Sequence, residues 1–234
     1  MTDADAPGSS RRVLIIRQQD RVAAADDLAR SVELLHAVAD GSLAEDRVVR
    51  LYTPAPTVAM SRRESRLPGF AAAARESLAR GFTPEIRPTG GRAVAYDDTC
   101  VVFDVIQRER QDEIGQERLF AKIGEALVQA LHVLGVDAHV GIVPGEYCPG
   151  EYSVNAGGRV KMIGTSQRSI RGARLLSGML PLGDVDSLAE VLAMVNAALD
   201  LEWDPRTFGS LHAESPGVSR FEVENILVAA LASW

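Results

Sequence analysis

Two glycine-bearing segments place cations beside backbone that lacks a Cβ. They are Arg87-Pro88-Thr89-Gly90-Gly91-Arg92-Ala93-Val94 and Lys161-Met162-Ile163-Gly164-Thr165-Ser166-Gln167-Arg168. A ligand can approach the main chain closely at such glycines, while Arg87 or Lys161 holds a carboxylate, phosphate or polarised carbonyl with a fixed positive charge. Together they outline a site for an acyl compound. A thiol lies between them in sequence, in Gly145-Glu146-Tyr147-Cys148-Pro149-Gly150. Cysteine between a tyrosine and a Pro-Gly turn is an unusual choice for packing, and a thiol there could carry the acyl group. Cys100, in the apolar run Cys100-Val101-Val102-Phe103, reads instead as a packed strand residue.

The elements that must position these residues follow from periodicity. Val13 to Ile16 is a β-branched run, and Leu28, Val32, Leu35 and Val38 recur at helical spacing over Ala23 to Val38. Val48 to Thr53 and Thr57 to Met60 read as neighbouring strands that turn a tight corner at Pro54-Ala55-Pro56. A helix over Phe70 to Arg80 ends at Gly81. Strands over Thr83 to Pro88 and Arg92 to Tyr96 flank the Gly90-Gly91 pair. Cys100 to Ile106 alternates, with Val102, Asp104 and Ile106 on one face. The longest helical pattern, Ile114 to Leu134, carries Leu119, Ile123, Leu127 and Leu131 and stops at Gly135.

Ala138 to Val143 is expected to be a strand. Tyr152 to Ala156 and Arg159 to Ile163 are expected to form a hairpin across Gly157-Gly158. Ser187-Leu188-Ala189-Glu190 and Ser219-Arg220-Phe221-Glu222 match the capping-box pattern, so a helix is expected from each, the second running to the C-terminus. Hairpin-like strands segregated from long helices predict an α+β fold, a mixed, mainly antiparallel sheet covered by helices, in preference to a doubly wound sheet.

At 234 residues the chain has the size of one large domain, long enough to bury a core without disulfides. Residues 1–11, small and polar at their start, read as a flexible tail and residues 12–234 as a single catalytic domain. A net charge of -7 argues against a nucleic-acid partner. No export signal or apolar span precedes the two cysteines, which implies free thiols, a cytoplasmic location and no membrane partner. His36, His132, His139 and His212 lack metal-ligand spacing, and no phosphate-binding Gly-x-x-x-x-Gly-Lys loop is present. The charged run from Arg108 to Arg118 reads as a solvated helix start.

In order and separation, the Arg87–Val94 and Lys161–Arg168 segments resemble the two signature segments of the lipoate-protein ligase and biotin-protein ligase superfamily. Arg50-Leu51-Tyr52 with Pro54, Pro56 and Ser61-Arg62 is similar to that family's early strand pair, and Asp26-Asp27-Leu28-Ala29 with Leu34-Leu35 to its first helix. The loop Glu146 to Ser153 most closely resembles the cysteine-bearing loop of octanoyltransferases and octanoyl amidotransferases, which work through an acyl-thioester. The chain departs from the ligase pattern in having Arg92 for a third glycine and Tyr96-Asp97-Asp98 for a His-Asp pair.

The resemblance implies an acyltransferase moving an octanoyl or lipoyl group to or from a lysine of a lipoyl-carrier protein, such as a glycine cleavage H protein or a dehydrogenase acyltransferase subunit. Cys148 and Lys161 would then be catalytic. Arg87, Thr89, Gly90, Gly91, Arg92, Gly164, Thr165 and Ser166 would bind substrate, with Arg87, Gly90 and Gly91 forming one wall of an acyl tunnel. No cofactor is implied for transfer. The alternatives are ATP-dependent lipoate ligation, requiring ATP and Mg, and a non-catalytic lipoyl-binding relative.

Overall fold

The computed structural model describes residues 12–109 and 116–233. Its strands divide between two sheets, and the site lies where they meet. In chain order the elements are β1 (Val13–Gln18), α1 (Ala24–Asp40), β2 (Arg47–Tyr52), β3 (Thr57–Met60), α2 (Phe70–Ala79), β4 (Thr83–Ile86), β5 (Val94–Tyr96), β6 (Cys100–Arg108), α3 (Gln116–Val133), β7 (Ala138–Val140), β8 (Val154–Ala156), β9 (Val160–Ile170), β10 (Ala173–Pro181), α4 (Asp186–Ala198), α5 (Leu211–Glu214) and α6 (Arg220–Ser233).

The larger sheet has the order β1-β2-β6-β10-β9-β8-β7, and the smaller β4-β3-β5. Among the described strands, only the β1–β2 and β3–β4 pairs are parallel. The remaining pairs are antiparallel. This is the mixed, mainly antiparallel α+β arrangement expected from the strand and helix pattern.

Alternation along the central strands sends side chains to two faces and, through them, to three cores. Leu51, Val101, Phe103, Val105 and Leu176 pack with Ile123 and Leu127 of α3 and Leu227 of α6. On the opposite face, Val48, Ile106 and Leu175 meet Leu34, Leu35 and Val38 of α1. Tyr52, Val102 and Met179 on that same face meet Val58, Met60 and Val94 of the smaller sheet, which Leu188 and Leu192 of α4 help to cover.

Four local expectations are corrected. Pro54-Ala55-Pro56 does not join neighbouring strands of one sheet, because β2 pairs with β1 and β6 whereas β3 pairs with β4 and β5. The prolines cannot donate to a ladder, and the chain uses them to pass from one sheet to the other. Ser187 makes no cap: α4 begins at Asp186, whose N–H is taken by the Asp184 carboxylate at 2.8 Å. An acidic residue two positions upstream satisfies the orphan donor instead.

The hairpin across Gly157-Gly158 is present, but β9 runs on through Gly164, Thr165 and Ser166 to Ile170, so the second glycine segment is strand along its whole length. The strand begun at Ala138 stops at Val140. By contrast, Ser219 and Glu222 do form the reciprocal capping box, at 2.8–3.3 Å. The expected tail and residues 110–115 of the charged run lie outside the described residues.

Candidate functional site

A narrow slot opens between the two sheets. Val102 and Met179 of the larger sheet and Ala59 and Val94 of the smaller give it apolar walls. At its mouth the structure brings together the thiol and the amine singled out in the sequence. Cys148 is partly exposed and lines the slot. Its sulfur accepts the Arg92 backbone N–H at 3.2 Å. Lys161 donates from Nζ to the Cys148 carbonyl oxygen at 2.7 Å.

Burial explains the electrostatics. Lys161 is 3% exposed, 4.6 Å from the centre of the Tyr147 ring and 3.5 Å from Glu146 Oε1. Loss of hydration pushes its amine below the usual lysine range, and the Glu146 carboxylate opposes that shift without cancelling it. Glu146 Oε1 also accepts the Gly150 N–H and the Ser153 hydroxyl, each at 2.8 Å, so the carboxylate folds the cysteine loop around itself. Its other oxygen has no hydrogen-bond partner among the described residues.

Two glycines are required here for space. A Cβ at Gly91, where φ is +95°, would lie 2.6 Å from Arg87 Nη2 and 3.3 Å from Cys148 Sγ. One at Gly164 would lie 2.8 Å from Lys161 Cε and 2.9 Å from the Tyr147 hydroxyl. The two segments are also bonded to each other, through Gly90 N–H to Gln167 O at 3.3 Å and Ser166 Oγ to Thr89 Oγ1 at 2.8 Å.

Arg87, Thr89, Arg92, Gly164, Thr165 and Ser166 line the slot with Cys148 and Lys161. Gly90 and Gly91 do not line it; the structure places them in a wider groove outside, with Arg62, Arg63 and Asp200, which also reaches Cys148. The Arg87 guanidinium is buried and donates to the Arg92 carbonyl at 2.7 Å. Arg92 directs its own guanidinium toward the Glu202 carbonyl, so its backbone rather than its charge faces the sulfur. Cys100 is fully buried in β6, and burial pushes its thiol up to about 12.

Sequence reasoning quoted Glu146 and Tyr147 without giving them a part, and it missed Glu64. Glu64 is 4% exposed. One of its oxygens accepts the Ala93 N–H at 2.7 Å, and the other accepts the Ser61 N–H and hydroxyl at 2.7 and 2.9 Å. It therefore ties the turn carrying Arg92 to the segment before α2. Ser61-Arg62-Arg63-Glu64 is itself a capping-box pattern, the signal that could have found it.

The fold and sequence have clear relatives. Octanoyl-[GcvH]:protein N-octanoyltransferase of Geobacillus kaustophilus is 30% identical over 132 residues, covering 56% of this chain and 46% of that protein. The same-named protein of Exiguobacterium sp. is 32% identical over 129 residues, covering 53% and 44%. The chain thus matches about half the length of these curated relatives. Among solved structures, lipoate-protein ligase A bound with ATP superposes with a TM-score of 0.74 at 21% identity, covering 96% of this chain and 85% of that one. The lipoic acid-bound putative lipoate protein ligase Ta0514 of T. acidophilum gives 0.73 at 20%, with the same coverages. The model of the lipoyl protein ligase A/B catalytic domain matches residues 23–227, and the chain belongs to that family.

Proposed function

We propose that this protein transfers an octanoyl group between lysine amines of lipoyl-carrier proteins through a thioester on Cys148. The observation carrying this reading is the meeting of the Cys148 sulfur, the Arg92 N–H and the Lys161 amine at the mouth of an apolar slot. The names of the curated relatives support the choice of acyl group and carrier.

In the first step the sulfur attacks the carbonyl of an octanoyl-lysine amide. A C–S bond forms, the C–N bond breaks, and the proton lost by the thiol leaves on the lysine amine. In the second, an acceptor lysine amine attacks the thioester carbonyl, a C–N bond forms, and sulfur departs and regains a proton. Each tetrahedral intermediate bears an oxyanion, for which the Lys161 ammonium is a buried donor able to turn from the Cys148 carbonyl. Because its amine gives up a proton more readily than an ordinary lysine, Lys161 is also placed to relay the transferred proton. The Arg92 N–H makes a hydrogen bond that a thiolate accepts better than a thiol. Arg87 and Thr89 hold the turn that supplies it, with Gly164, Thr165 and Ser166 forming the facing wall.

This route consumes no nucleotide. Incubation with an octanoylated carrier domain in the absence of ATP should add one octanoyl group to the intact protein, and Cys148→Ala should abolish the adduct. Acylation of the carrier that strictly requires ATP and Mg, with the cysteine unmodified, would instead favour ligation through an acyl-adenylate. Binding of medium-chain acids without either reaction would leave a lipoyl-binding relative.

A further inference from the structure

We propose that Tyr147 is a positioning residue for acyl transfer, its ring being the seat that holds the Lys161 ammonium beside Cys148. This rests on the acyl-transfer reading and gives a part to the residue that precedes the thiol. A lysine that is 3% exposed must find partners for its charge inside the protein. Two of them are polar, the Cys148 carbonyl at 2.7 Å and Glu146 Oε1 at 3.5 Å. That carboxylate oxygen is shared, because it also accepts the Gly150 N–H and the Ser153 hydroxyl. The third partner is the face of Tyr147, whose centre lies 4.6 Å from Nζ, inside the range of about 6 Å over which a ring's negative face attracts a cation. Such attraction is strongest away from water, and Tyr147 is itself buried. Burial also pushes the phenol far above its usual range, so the ring brings no formal charge to the thiol or the amine.

The ring is held in turn by two others. Its centre lies 5.3 Å from that of Phe208, tilted by 59°, and 6.2 Å from that of Trp203, nearly perpendicular at 84°. Trp203 and Phe208 also meet edge to face, at 6.3 Å. Tilted and perpendicular contacts at these separations are favoured by the charge distribution of aromatic rings. The trio is tied to the thiol and to the amine through the backbone. Tyr147 is the chain neighbour of Cys148, and the Asp204 N–H beside Trp203 donates to the Gly145 carbonyl at 2.7 Å. Phe208 forms a backbone bridge with Lys161, and the Gly209 N–H donates to the Lys161 carbonyl at 3.0 Å. The aromatic trio therefore fixes the two reacting groups relative to each other, where a lysine's four-carbon stem alone would leave its ammonium free to swing.

The test uses the chain's lysine content, which is Lys161 and the exposed Lys122. With lysine labelled with 13C at Cε, NMR follows the titration of both amines without needing acyl-transfer activity. Tyr147→Phe, which keeps the ring, is the reference, and phenylalanines with one, two and three ring fluorines replace it at position 147. Fluorine withdraws electron density from the ring face and hardly changes its volume, while Glu146, Cys148 and Arg87, the charged and titratable groups acting on the amine, stay the same. The Lys161 midpoint should fall with each added fluorine, with Lys122 constant, and the alkaline limb of thioester formation on Cys148 should move down with it. A Lys161 midpoint that stays in place through the trifluoro ring would overturn the proposal. Tyr147→Leu should lower kcat for thioester formation about tenfold with KM unchanged, and Tyr147→Phe should restore it; equal loss in both would also overturn it. If Tyr147→Leu does not fold, the fluorine series decides. A midpoint that falls while no thioester forms from an octanoylated carrier keeps the seat and removes the transferase, whereas a thioester forming at a rate indifferent to the fluorines does the reverse.

Discussion

Two buried ionic clusters sit on the same face of the larger sheet, and they are built to opposite ends. Around Arg50, every guanidinium nitrogen is bonded: Nε and Nη2 to Gln18, Nη1 and Nη2 to Asp27, and Nη1 to Ser31 and Asp104. Around Lys161, bonding is incomplete. Glu146 Oε2 and Arg87 Nε have no hydrogen-bond partner among the described residues, and the ammonium meets its carboxylate only at 3.5 Å. The first cluster ties α1 to β2 and β6; the second faces a slot and a partly exposed thiol. Asp27 Oδ2 also lacks a hydrogen-bond partner among the described residues, so the contrast lies in the cations: a buried guanidinium with every nitrogen bonded specifies structure, and an incompletely paired ammonium at a cavity retains capacity for a ligand's charge.

Breaking the first cluster should act on folding. Arg50→Met leaves Asp27 and Asp104 buried without their cation, and chemical denaturation should show a loss of about 3–5 kcal/mol. Any protein that still folds should retain the Cys148 adduct. Lys161→Met should act on chemistry, lowering thioester formation by about 10²–10³ when an oxyanion donor is lost, as read by rapid-quench mass measurement. Comparable activity losses from both substitutions, measured per folded molecule, would erase the contrast between the clusters.

Glu64→Gln tests a positioning role with a milder expected effect, about tenfold on acylation, because the amide cannot accept from Ala93 and Ser61 as the carboxylate does. Its readout is the split between kcat and KM. If Glu64 orients the turn at Cys148, kcat for acylation should fall with KM unchanged, whereas a purely structural role would lower stability and leave the rate per folded molecule in place.

The smallest effect concerns pH and stability. Burial holds the folded Lys161 amine below its unfolded value of about 10.4, so between those two values the unfolded chain binds more protons. Stability should therefore rise with pH through that window and be lower beneath it. Thermal melts of wild type against Lys161→Met across that range should show the wild type gaining relative to the variant. If activity depends on the ammonium, its alkaline limb falls below the ordinary lysine range, and Lys161→Arg shifts it upward.

Legibility in the sequence differed between the two clusters for a physical reason. Cys148, Lys161 and the glycine segments stand out because a thiol in a Pro-Gly turn and a cation next to Cβ-free backbone are locally unusual. Asp104 was placed on the correct face with Val102 and Ile106 by alternation alone, but nothing local identifies Arg50, Ser177 and Ser166 as its cross-strand row. That row depends on the registers of three strand pairs. Glu64 and Ser187 teach the same lesson in opposite directions. Each belongs to a capping-box pattern; the one at Ser61 is formed and holds the site, and the one at Ser187 is displaced by Asp184.

By itself the sequence determined the helices with apolar stripes, the hairpin across Gly157-Gly158, the α+β class, and which thiol and amine to pair. These rest on side-chain periodicity and on conformations open to glycine and closed to proline, which act over a few residues. Tertiary structure alone decided that Pro54-Ala55-Pro56 switches sheets, that Gly90 and Gly91 face an outer groove, and that the Arg92 N–H reaches the sulfur. Those outcomes depend on how two sheets pack, an energy spread over many distant contacts to which no short stretch of chain holds the key.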